Sequence, residues 1–137
     1  MGLYLCIFDE GEEVDGVEVG PYVDFDKFRD CVVRELEGCN AGSKFPTLIL
    51  HSDCDGEWSP TEAGQLEKEL IEISDKFHRR PPISVDSDWQ KRVMTSFGLG
   101  MNNLYDCFVD VDGEPLLERL IGLAKLSQDR HLPILFQ

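Results

Sequence analysis

The run Leu3-Tyr4-Leu5-Cys6-Ile7-Phe8 has no polar break until Asp9 and Glu10 stop it. An unbroken apolar run of this length predicts a strand covered on both faces. Thr47-Leu48-Ile49-Leu50, residues 104–109 and residues 132–136 read as further strands. Between them lie helical patterns. Asp24 can cap a helix carrying Phe25, Phe28, Val32 and Leu36 on one face. Ser59-Pro60-Thr61-Glu62 joins a cap, a first-turn proline and a capping-box glutamate, ahead of Ala63, Leu66, Leu70, Ile73 and Phe77. Ser87-Asp88-Trp89-Gln90 repeats the capping pattern, and Pro115 opens a helix rich in leucine. Asp9 to Gly20 reads as a loop or a weak hairpin, and Gly98 to Asn103 as a mobile surface loop. The predicted order is β-α-β-α-α-β-α-β. The fold class is α+β, with one four-stranded mixed sheet and helices packed against it. Residues 1–137 suit a single domain.

Leu, Ile, Val and Phe form about 30% of the chain, above the roughly 20% below which chains stay disordered. The N-terminus lacks a basic region and a cleavage site, so it does not read as a signal peptide. No apolar run approaches the roughly 18 residues a membrane span needs. The five cysteines are odd in number and none are paired as C-x-x-C, which argues against a disulfide framework or a zinc site. The expected compartment is the cytoplasm.

The formal net charge is −14. Such a chain is poor in the clustered Lys and Arg that neutralise phosphates, so neither nucleic acid nor an anionic membrane is an expected partner. A basic protein is the natural complement. Residues 9–30 hold nine acids against Lys27 and Arg29, and residues 53–75 hold eight against Lys68. Acids and bases balance in the remainder. Candidate partner-binding residues are Glu12, Glu13, Asp15 and Glu18 in the first segment and Asp53, Asp55 and Glu57 in the second. Trp58 either anchors a partner or plugs the start of the helix behind it.

One alternative is chemical. Asp53, Asp55, Gly56 and Glu62 fall at positions 3, 5, 6 and 12 of a calcium loop that begins at His51. The histidine is a poor ligand for a hard cation, and Glu62 has a second use in the capping box. A small metal- or calcium-binding module, or a metal-assisted enzyme, would be built on Asp53, Asp55 and Glu62. No nucleophile elbow and no phosphate loop occurs, so no catalytic residue and no cofactor is expected.

The opening Met1-Gly2-Leu3-Tyr4-Leu5-Cys6 and the turn His51-Ser52-Asp53-Cys54-Asp55-Gly56-Glu57-Trp58 resemble the immunity protein 70 family of bacterial polymorphic toxin systems. So do the helix start Asp112-Gly113-Glu114-Pro115-Leu116-Leu117 and the closing Pro133-Ile134-Leu135-Phe136-Gln137. The resemblance implies a small cytoplasmic α+β protein that binds and neutralises a cognate toxin. An acidic inhibitor of this kind suits a basic-surfaced toxin such as a nuclease, whose phosphate-binding cleft it can fill.

Overall fold

The computed structural model describes residues 2–52, 55–84 and 87–137. Strand β1 (Gly2–Asp9) turns back into β2 (Glu12–Pro21) through Glu10 and Gly11. Both turn residues have positive φ, 52° and 84°, as a two-residue hairpin turn matching the strand twist requires. Helix α1 (Tyr22–Leu36) follows at once. A short helix α2 (Pro46–Ile49), a two-residue strand β3 (Glu57–Trp58) and the long helix α3 (Pro60–His78) come next. Then come α4 (Asp88–Phe97), a 3₁₀ turn (Tyr105–Cys107), α5 (Leu116–Arg130) and β4 (Ile134–Phe136).

The fold is α+β. The sheet is antiparallel in every pairing, in the order β2-β1-β4-β3, where the sequence suggested a mixed one. The helices share its inner face. Leu3, Leu5, Ile7, Val17 and Val19 join the core with Phe25 and Phe28 of α1, Leu66, Leu70 and Phe77 of α3, and Leu117 and Leu120 of α5.

Two expected strands are something else. Residues 47–50, expected as strand, belong to α2 and its C-terminus. Pro46 opens that helix, and the buried carboxylate of Glu69 accepts the backbone N–H groups of Thr47 and Leu48 at 3.2 and 3.0 Å. Those amides have no partner within a first helical turn, so a distant carboxylate there favours helix over strand. Glu37 does the same for the preceding loop, accepting from the backbone of Gly42, Lys44 and Phe45. Residues 104–109, also expected as strand, form the 3₁₀ turn and a bridge from Val109 to Pro115. In the opposite direction, the acidic stretch expected as loop or weak hairpin contains the longest strand, β2. Two register irregularities opposite Leu3/Tyr4 and Ile7/Phe8 break its alternation.

Capping chemistry held at α3 and in part at α4, but not at α1, which starts after Pro21 without a side-chain cap and has Asp24 inside its first turn instead of capping it. Ser59 and Glu62 close both halves of a capping box on α3. Ser87 Oγ accepts the backbone N–H of Gln90 at the start of α4. Among the described residues, no helix is long and apolar enough to cross a membrane.

Candidate functional site

Side chains alternate along a strand, so inward Leu3, Leu5 and Ile7 put Tyr4, Cys6 and Phe8 on the other face of β1. The register carries that face across the sheet. Gly16 of β2, Cys6 of β1, Leu135 of β4 and Glu57 of β3 lie in one row. Tyr4 pairs with Glu18 and Phe8 with Glu13. Tyr4, Phe8 and Leu135 are half-buried and stand outside the core, whereas Glu13, Glu18 and Glu57 are exposed. The β1 run is therefore not covered by helices on both faces, contrary to its apolar pattern. One face of the sheet is open, with an apolar centre and a carboxylate border.

The centre is tightly arranged. The Tyr4 ring leans over Gly16, where any β-carbon would collide with its phenol. Its hydroxyl donates to Glu13 Oε1 at 2.5 Å. That hydrogen bond, with burial and the Glu13 charge adding to it, holds the phenol well above its ordinary pKa. Cys6 is wholly buried beneath these neighbours, and burial pushes its thiol pKa up.

The acidic segments meet on this face only in part. Their strands occupy opposite edges of the sheet, three strand spacings or about 14 Å apart. Glu13 and Glu18 border one side and Glu57 the other. Glu12 lies at the hairpin and Asp55 is exposed just before β3. Asp15 lines a cleft with Glu118, Arg119 and Gly122 of α5, on the helix side. Asp53 lies outside the described residues.

Much of the charge on α3 is committed within the fold. Glu62 closes the capping box, Glu67 accepts from Gln128, and Glu69 is a buried anchor. Glu72 pairs with Lys76 and Asp75 with Arg79. Among the described residues, no ion pair engages Glu12, Glu13, Glu18 or Glu57. On the border of the open face, Glu18 and Glu57 are exposed and outside these ion pairs, while Glu13 accepts from Tyr4.

Trp58 is no surface anchor. It is 1% exposed, its indole donates to Thr47 O at 3.0 Å, and it packs edge-on against Phe136. His51 stacks on the same Phe136, with ring centroids 4.3 Å apart. Its two ring nitrogens reach the carbonyls of Ser52 and Glu57. The calcium-loop reading loses the free use of Glu62, whose Oε1 accepts the backbone N–H of Ser59 at 3.0 Å.

Tyr4, Phe8 and Leu135 were not singled out from the sequence. Their signal is weak, because an apolar strand residue looks the same whether helices or a partner cover it.

The open face of the sheet thus has an apolar middle and charged edges. The chain belongs to the immunity protein 70 family, whose model matches residues 3–136. Membership implies a toxin partner. No curated protein and no solved structure matches the chain significantly.

Proposed function

We propose that this chain is a non-catalytic inhibitor that caps a cognate toxin with the open face of its sheet. The carrying observation is the juxtaposition of Tyr4, Phe8 and Leu135 with the exposed carboxylates of Glu13, Glu18 and Glu57, of which Glu13 also accepts from the Tyr4 hydroxyl. Interface energy concentrates in buried aromatic and apolar contacts, while border charges steer approach and exclude wrong partners. The partner surface that fits is basic around an apolar spot, as in a nuclease cleft. Glu12 and Asp55 extend the border. The cytoplasm, where such a toxin would harm its producer, is the compartment this role requires.

The test is co-expression with the toxin domain encoded beside its gene. Wild type should protect cells. A Tyr4→Ala, Phe8→Ala, Leu135→Ala triple variant should fold and fail to protect. Full protection by that folded variant would place the binding face elsewhere.

A further inference from the structure

Where β1 begins and β2 ends, a depression of about 420 Å³ adjoins the open face of the sheet. Tyr4 and Glu18 line it from that face, and Trp89 of α4 and Pro21 supply apolar wall. Glycines keep its floor bare. Gly20 has a φ of 112°, which residues with a β-carbon rarely adopt. A β-carbon there would lie 2.6 Å from the ring of Trp89, so glycine is what lets the indole settle on β2. Tyr4 and Glu18 are cross-strand partners, and Leu3 and Gly20 form the neighbouring pair. Directly opposed side chains start about 4.5–5.5 Å apart. Tyr4, Glu18 and the ring resting on Gly20 therefore lie within reach of one inserted side chain.

The lining restricts what fits. Its groups can be reached, since Glu18 is exposed and Tyr4 and Trp89 are half-buried. Among the described residues, Glu18 is the one charged side chain in the lining and takes part in no ion pair. A carboxylate beside aromatic and apolar walls suits a cation carried on an apolar stem. Lysine and arginine both have one, but the planar head of arginine is more weakly hydrated and packs on aromatic rings. We infer that this depression receives one arginine side chain of the toxin, laid against Trp89 with its charge met by Glu18. The inference rests on the proposed capping role and extends the binding face from the sheet onto α4. Glu18 stands in water, so its charge mainly speeds arrival, whereas the contact that excludes water at Trp89 sets how long the arginine stays.

The test uses the purified chain and the toxin domain encoded beside its gene. Trp89→Leu keeps an apolar contact on Gly20 and removes the ring. It should shorten the lifetime of the complex about tenfold or more, with little change in association rate. Each arginine of the toxin is also replaced by lysine in turn. One replacement should shorten the lifetime with the wild-type chain and do nothing further with Trp89→Leu. An unchanged lifetime for folded Trp89→Leu, or coupling to no arginine, overturns the inference. Should Trp89→Leu fail to fold, the indole resonances of Trp89 in the isotope-labelled wild-type chain decide. They should shift when toxin binds, and unmoved resonances would refute the pocket. A Phe8→Ala, Leu135→Ala variant tests the capping role separately, since neither residue lines the depression. If it holds the toxin as the wild type does, the capping role fails and the pocket falls with it. If it releases the toxin and Trp89→Leu does not, the pocket alone fails.

Discussion

Glu69 Oε1 of α3 accepts the backbone N–H of Leu48 at 3.0 Å, joining residues 21 apart in sequence. Its other oxygen takes the N–H of Thr47 and the amide of Gln65. The carboxylate is 3% exposed, so its removal leaves two backbone donors unpaired in a site that water hardly reaches. Glu69→Ala should therefore cost about 2–4 kcal/mol, which is large for a single acidic side chain. Urea unfolding checks this, with Glu72→Ala on the same helix as a comparison. Glu72 makes only an exposed pair with Lys76, and its loss should cost at most about 0.5 kcal/mol.

Gly16 has no such anchor, yet it is equally constrained. A methyl group there cannot coexist with the present position of Tyr4. Gly16→Ala should displace the ring, break its bond to Glu13 and cost about 1–3 kcal/mol. Pairing it with Tyr4→Ala gives the check. The double variant should recover much of the loss, because the two changes act on one clash.

Charge at the border should govern the speed of capture more than its lifetime. Reversal of Glu18 and Glu57 to lysine should slow association with the toxin by about tenfold or more at low salt, and flatten the salt dependence. Asp15→Lys, on the helix side, should change it far less. Stopped-flow binding at two salt concentrations separates the cases. Equal effects from all three positions would mean that overall charge acts, and not this face.

Alkaline titration gives a further test. Burial raises the Tyr105 phenol from its ordinary value of 10.0 to about 12, with the charges of Glu118 and Asp106 adding to it. The folded chain thus holds this proton where the unfolded chain releases it. The resulting stabilisation is complete below pH 10 and is lost as pH rises towards about 12. Tyr105→Phe should show a shallower fall of unfolding free energy across that window. Absorbance of the phenolate should likewise appear late in the folded wild type.

Local chemistry was the legible part of this fold. Ser59, Pro60 and Glu62 announce α3 because a cap acts within four residues, and Ser87 announces α4 for the same reason. What stayed hidden was set at a distance. Thr47-Leu48-Ile49-Leu50 has the look of a buried strand, and its helix rests on Pro46 at its start and on the distant Glu69 carboxylate from α3. Val14, Val17 and Val19 are strand residues whose rhythm two irregularities obscure. At the candidate site the acids were visible as charge, but their sharing of a face was not. Glu13 and Glu57 meet there only because β1 and β4 lie between their strands. Asp15, two residues after Glu13, turns to the other side. Trp58 could have pointed either way until the Thr47 carbonyl appeared beside its indole.

The outer side of β2 has one more consequence. Val111 donates its N–H to Glu18 O at 3.1 Å, and Arg119 donates to Gly16 O at 3.0 Å. Carbonyls that would otherwise invite a neighbouring strand are already taken. The opposite border, β3, is only two residues long. Both features limit the edge that further copies could pair with. Copies of the chain are thus kept from pairing edge to edge even when concentrated.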